Sequence, residues 1–176
     1  MHKRIYGACL LMIAILTASC STTKTPQDIQ HDTALYAEAA QAIKNGDFVL
    51  ESDQLQFKRG YVANVTNNTN FISMRNNTVT VQTAFNNGFQ GVNSLGGVTL
   101  EGQPRNIKIS MDKRGNLNYQ MDVMGAVLSA RIELTLYADS NRAEATVFPN
   151  YSSNRLTMRG KIFSTENSNV FKGRAF

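Results

Sequence analysis

Histidine, cysteine and tryptophan are almost missing from this chain: 176 residues hold 2 histidines, 2 cysteines and no tryptophan. The few that exist are poorly placed for chemistry. His2 and Cys9 fall in an N-terminal segment that opens basic at Lys3-Arg4 and runs apolar from Ile5 to Leu16, apart from Tyr6 and Gly7. It ends in the small residues Thr17-Ala18-Ser19, and a basic start, a short apolar run and a small-residue cleavage site describe a secretory signal over residues 1–19. Long apolar runs are lacking too, since a bilayer span takes roughly 20 such residues. The mature chain then keeps His31 alone, in a polar stretch, which excludes a Ser–His–Asp triad and a histidine-rich zinc site. Cys20 is the one cysteine left, so no disulfide can form within the chain.

Cys20 has a more specific use. Leu16-Thr17-Ala18-Ser19-Cys20 resembles a bacterial lipobox, in the looser form with Thr17 where leucine is usual. The resemblance implies cleavage before Cys20, acylation of that cysteine and a membrane anchor, and it removes the last thiol nucleophile. Each buried methylene contributes about 0.8 kcal/mol, so several acyl chains hold where one would bind only reversibly. Residues 20–32 are expected to form the lipidated N-terminus and a flexible tether, polar and without apolar periodicity. As a coil its dozen residues would average roughly 20 Å end to end.

Removing the signal leaves 157 residues, enough for one domain, expected over 33–176. Lys3 and Arg4 leave with it, so 18 basic residues become 16 against 13 acidic, a balance of +3. No basic run or RNA-binding motif is present, which speaks against nucleic acid as a partner. Asp47, Glu51 and Asp53 are the only clustered carboxylates, and each has a plain role near a strand start. The glycines at 88, 91, 96 and 97 match no phosphate-loop pattern, and the loop over 85–97 could instead cover the mouth of a pocket. No cofactor, metal site or catalytic residue is expected, and the chain does not read as an enzyme.

What is abundant is strand. One helix is expected over 33–45, with Leu35, Ala39 and Ile43 at helical spacing, Asp32 as N-cap and Gly46 as the stop. Everything after it alternates. Ile107, Ile109 and Met111 lead to Lys113-Arg114-Gly115, a three-residue hairpin loop that sets Met111 opposite Leu117, Ile109 opposite Tyr119 and Ile107 opposite Met121. Gly125-Ala126 suits a two-residue turn, pairing Met121 with Ala130, Tyr119 with Ile132 and Leu117 with Leu134. A turn at Asp139-Ser140 sets Leu134 against Ala145 and Ile132 against Val147; the next loop sets Val147 against Leu156 and Ala145 against Met158. All four registers put apolar residues on one face, although a slip of one residue would invert a strand. The other face carries Arg131, Glu133, Arg142, Glu144, Arg155, Arg159 and Lys161, with Glu144 opposite Arg159. Upstream, Ile72 and Met74 pair with Val81 and Val79 around Asn76-Asn77, a bulge is expected near Ser52-Asp53, and Tyr61 to Val65 add a strand. The fold class is mainly β: an antiparallel meander of about 8–10 strands in a closed barrel or a two-layer sandwich, its lone helix over an end or an open edge.

The pieces Thr69-Asn70-Phe71-Ile72, Gly96-Gly97-Val98-Thr99-Leu100-Glu101-Gly102 and Asp112-Lys113-Arg114-Gly115-Asn116 resemble Bacteroidetes lipoproteins of domain-of-unknown-function family 4251. Ser140-Asn141-Arg142-Ala143, Pro149-Asn150-Tyr151, Ser153-Asn154-Arg155 and Phe171-Lys172-Gly173-Arg174 continue the match in order. The resemblance implies a lipocalin-like β-barrel and assigns no activity. By the same lineage, Ser21 to Thr25 lacks the acidic residues that mark surface export, which implies the periplasmic side of the outer membrane. Asp32-Thr33-Ala34 fits that lineage's short O-glycosylation pattern, with Thr33 as acceptor, although an N-cap explains Asp32 as well.

Two functions follow as expectations. The first is a carrier for a small apolar or amphipathic ligand inside the barrel, because the inward positions Ala130, Ala143, Ala145 and Gly160 are small and could leave volume for it. The alternative is an envelope interaction or structural module with a protein partner, working through a sheet edge, the basic face or the Asn-rich loops.

Overall fold

A computed structural model describes residues 24–84, 97–170 and 172. The chain enters through helix α1 (Pro26–Asn45). Thr25 caps it: its side chain accepts from the Asp28 backbone N–H, the Asp28 carboxylate accepts from the Thr25 backbone, and Pro26 occupies the first turn. This reciprocal box satisfies two of the donors a helix start leaves free. Gly46 ends the helix in the left-handed conformation at φ 67°. The helix therefore starts seven residues before the expected Thr33, Thr25 rather than Asp32 is the cap, and residues 26–32 are helical rather than flexible tether. From Pro26 to Ala34 every residue but Asp32 is exposed, whereas Ala39, Ala40, Ala42 and Ile43 are buried. Only the C-terminal half packs on the sheet; the first half rests on its cap and overhangs.

Nine strands follow among the described residues: β1 (Phe48–Phe57), β2 (Val62–Asn64), β3 (Phe71–Arg75), β4 (Thr78–Thr83), β5 (Val98–Met111), β6 (Leu117–Gly125), β7 (Ser129–Leu136), β8 (Arg142–Pro149) and β9 (Leu156–Ser164). All pairings are antiparallel, and β1 pairs with β9 along its whole length, so eight strands close a barrel and β2 is an extra strand on β1. Closure settles the architecture as a barrel rather than a sandwich. The bulge falls as expected between Ser52 and Gln54. Asn76 and Asn77 turn β3 into β4 with positive φ of 49° and 60°, a region that asparagine enters more readily than most residues.

The registers of β7 with β8 and of β8 with β9 are those expected, including Leu134 opposite Ala145, Val147 opposite Leu156 and Glu144 opposite Arg159. Two others differ. Leu117 pairs with Leu136, Tyr119 with Leu134 and Met121 with Ile132, two residues from the expected set. The turn lies at Ala126-Val127, closed by the Gly125 N–H donating to the Leu128 carbonyl at 3.0 Å. Gly125 lacks a side chain for another reason: a Cβ there would sit 2.5 Å from the Glu101 carbonyl oxygen. The second difference is in β5, where Met111 and Ile109 meet Leu117 and Tyr119 as expected, but a bulge between Arg105 and Lys108 removes the pair of Ile107 with Met121.

The core is the barrel interior plus one end. Phe48, Leu50, Leu55, Met121, Ile132, Leu134 and Met158 are fully closed off, and Ala39, Ala42 and Ile43 of α1 join the same cluster. Tyr119 stands edge-on to Phe48 at 5.7 Å between ring centres, and its hydroxyl donates to the Met74 sulfur at 3.2 Å. The helix lies over the barrel end that holds the β5–β6 and β7–β8 turns: the Tyr36 hydroxyl donates to the Gly115 carbonyl at 2.7 Å. On the outside, Glu51, Phe71, Gln82 and Thr99 are register partners in one row across β1, β3, β4 and β5, and Phe71 and Gln82 are buried there. The chain after β9 passes this way, with the Ser168 hydroxyl on Glu51 at 2.7 Å and Lys172 paired with Glu101.

Candidate functional site

The open place in this barrel is one edge of β5. Its partner β4 is short, and the pairing runs only from Val98 to Gly102. From Gln103 to Met111, β5 is paired with β6 on one side and with no strand on the other among the described residues. An unpaired strand edge offers a row of backbone donors and acceptors. Ile107, Ile109 and Met111 sit on that stretch, on the face that carries Leu117 and Tyr119, yet they are 44%, 45% and 61% exposed while Leu117 and Tyr119 are buried. They face inward, but where no strand among the described residues closes over them.

The hairpin is well fixed. One Asp112 carboxylate oxygen accepts from the backbone N–H groups of Arg114 (2.8 Å) and Asn116 (3.0 Å), the other from the Asn116 side chain (2.8 Å), and Gly115 takes φ of 82°. The Asn116 bond and the backbone donors hold the Asp112 carboxyl below the usual carboxylate range. Asn106 makes the bulge at φ 53° and donates to Asp122 at 2.8 Å. That bond, with Arg131, lowers the Asp122 pKa in turn. Arg105 and Lys108 extend from the opposite face to the isoleucines, and Lys113 and Arg114 stand at the tip. None of these four cations makes an ion pair among the described residues. Beside the tip, Arg114, Asn116, Tyr137, Ala138, Asp139 and Arg142 line an open depression of about 520 Å³, where Arg142 pairs with Asp139. Burial pushes the Tyr137 hydroxyl up.

The small inward residues are arranged differently from a cavity wall. Ala143 and Gly160 are cross-strand partners, Ala145 lies two residues on, and Ala130 is nearer the opposite end of β7. Ala130, Ala143 and Ala145 are buried within the continuous core, and Gly160 is half-buried. Gly160 has a reason of its own, because a Cβ there would sit 1.8 Å from the Glu51 carbonyl oxygen across the β1–β9 seam. The loop over 85–96 and Cys20 both lie outside the described residues. Thr33 is exposed on α1, with its hydroxyl donating to the Ile29 carbonyl at 2.8 Å. Two of the clustered carboxylates have structural partners: Asp47 accepts from Thr165, and Glu51 from Asn67 and Ser168; Asp53 enters the structure through its backbone carbonyl, which accepts from the Val65 N–H. The exposed edge of β5 was not singled out by sequence reasoning. Its signal was indirect, a long alternating stretch opposite a short strand.

Residues 30–162 match the family model described as domain of unknown function DUF4251, and the chain belongs to that family. Its fold is similar to the crystal structure of a DUF4251 family protein from Bacteroides eggerthii DSM 20697, at 43% identity and a TM-score of 0.69 over 82% of this chain and 97% of that one. Among curated proteins, none matches this chain.

Proposed function

We propose that this DUF4251 member is a non-catalytic binding module of the cell envelope, anchored by acyl chains on Cys20, that works at the open edge of β5. The observation that carries the reading is the exposure of Ile107, Ile109 and Met111 on a strand stretch that has no second neighbour among the described residues. Apolar side chains beside unpaired backbone groups give both affinity and register to whatever docks there. Cleavage before Cys20 would put the anchor five residues ahead of the Thr25 cap, on the periplasmic side of the outer membrane. Thr33, exposed on the overhanging half of α1, is the proposed O-glycan acceptor; an intact mass of natively made protein without a glycan increment removes it.

A photo-crosslinking residue at Ile109 in intact cells tests the edge. We expect adducts at Ile109 and none from the same residue at Glu133, on the outward face of β7. Equal labelling of the two, or none at Ile109, rejects the edge as the working surface. Metabolic labelling with a fatty-acid analogue, lost in Cys20→Ala, tests the anchor.

A carrier of a small apolar or amphipathic ligand in the interior is the second reading. What favours it is the small volume of Ala143 and Ala145, two residues apart on the inward face of β8; Gly160 is small for the β1–β9 seam instead. Native mass spectrometry separates the two: a reproducible ligand increment lost on denaturation supports the carrier.

A further inference from the structure

We infer that the β5–β6 hairpin docks on the anionic lipid surface to which the chain is anchored, with Ile107, Ile109 and Met111 entering the interface and Arg105, Lys108, Lys113 and Arg114 meeting lipid phosphates. This names the partner of the edge described above and rests on the anchored reading.

Three observations converge. The hairpin is amphipathic across the strand: apolar side chains on one face, Arg105 and Lys108 on the other, and two further cations at the tip. Basic and apolar residues on opposite sides of one exposed element are what an interface-lying segment needs, since the apolar part reaches the acyl boundary while cations sit at headgroup depth. The charge is available. The nearby acids Asp112, Asp122 and Asp139 are committed to the hairpin backbone, to Arg131 with Asn106, and to Arg142, and Glu38 holds Asn167; Glu133 stands in the outward row of Lys108 but two strands away, beyond Gln120. A surface of anionic lipid attracts each such cation within about a Debye length.

Reach is the third. Tyr36 fixes the middle of α1 to the hairpin tip at Gly115. From Tyr36 back to Pro26 the helix spans about 15 Å at 1.5 Å per residue. Residues 21–25, fully extended, add at most roughly 18 Å. With the last step to Cys20 and the length of the Tyr36 side chain added, an acylated Cys20 lies within roughly 45 Å of the tip, and the helical first half of α1 restricts the freedom a coil would have had. Ile29, seven residues before Tyr36 on one helix face and 53% exposed, adds a fourth apolar side chain on the path between anchor and hairpin.

The test uses the lipidated mature protein in vesicles of phosphatidylethanolamine with phosphatidylglycerol. Ile109→Cys, labelled with bimane, reports depth through quenching by lipids brominated high in the acyl chain. Ile107→Cys is a second reporter, and Tyr151→Cys in the loop at the opposite barrel end is the control. Circular dichroism first confirms that each variant folds. We expect strong loss of fluorescence at both hairpin positions and little at the control. That loss should shrink in zwitterionic vesicles, at high salt, and when Lys113→Gln and Arg114→Gln are added. Protein that floats with the vesicles but is unquenched at Ile109 overturns the proposal and leaves the anchor standing. Unquenched protein that crosslinks to itself through residue 109 overturns it in favour of a second copy on the edge. Protein that does not float removes the anchor, and this inference with it.

Discussion

Replacing Gly160 by alanine should damage this barrel far more than one methyl group suggests. In an ordinary strand the change would be mildly favourable, by about 0.5–1 kcal/mol, because glycine loses most conformational freedom on folding. Here the new Cβ would lie 1.8 Å from the Glu51 carbonyl oxygen, 2.7 Å from its carbon and 2.8 Å from the Ser52 Cα. All three are backbone atoms, so no rotamer relieves the clash. The strands must part by more than about 1 Å before the contact becomes tolerable, which takes hydrogen bonds of normal length past their useful range. Gly160 pairs with Ser52 next to the Asp53 bulge, where the Ser52 hydroxyl also donates to the Arg159 carbonyl at 3.0 Å. Overpacking costs about 1–3 kcal/mol, and each buried polar group left unpaired costs about the same again. A loss of roughly 3–5 kcal/mol follows, out of the 5–15 kcal/mol typical of a domain. At about 2–4 °C per kcal/mol for a domain of this size, the midpoint should fall by roughly 6–20 °C. Denaturant and thermal melts followed by circular dichroism would measure it. A variant as stable as the parent would refute the close approach, and Gly160 would regain its reading as a residue kept small for a ligand.

Arg159 binds Glu144 at 2.6 Å, Gln54 at 3.1 Å and Gln56 at 2.7 Å, joining β8, β9 and β1 on the outer face. Arg159→Ala should cost about 1 kcal/mol, because the group is partly solvated, and added salt should narrow the gap to the parent in denaturant melts. Thr25→Ala should leave the global midpoint almost unchanged yet speed amide exchange in the first turns of α1, since that half is capped but undocked. Burial raises the Tyr119 hydroxyl pKa to about 12 from its usual 10. The unfolded chain then loses its proton first, so stability is fully present below pH 10 and declines as pH rises toward 12; Tyr119→Phe should flatten that decline in melts across this range.

Turn chemistry was the legible part of this fold. Asp112 to Asn116 and Asn76-Asn77 each need a residue tolerant of positive φ, and both fixed the pairing of their strands from the sequence alone. Gly125 misled for an instructive reason. Its φ is not positive; it is small because β5 crosses close to it, and Gly102 is its register partner for the same purpose. The turn therefore moved by one residue and the register by two, which preserves the face of every side chain. The start of α1 was written in Thr25-Pro26-Gln27-Asp28, a cap, a first-turn proline and a reciprocating carboxylate. It was missed because the exposed first half of the helix has no apolar periodicity, which is the signal that normally marks a helix.

The open edge was hidden by the same logic in reverse. Alternation assigns a side chain to a face, and Ile107, Ile109 and Met111 do share the inward face with Leu117 and Tyr119. Burial needs something more, a neighbour long enough to close over that face, and a barrel wall is only as complete as its shorter strand. β4 ends its pairing at Gly102, so the inward face of β5 beyond that point is inward in register and outward in exposure. No pattern within residues 107–111 distinguishes the two cases. The information sits in the difference of length between β4 and β5, and that difference turns residues that read as core into the surface proposed to meet the membrane.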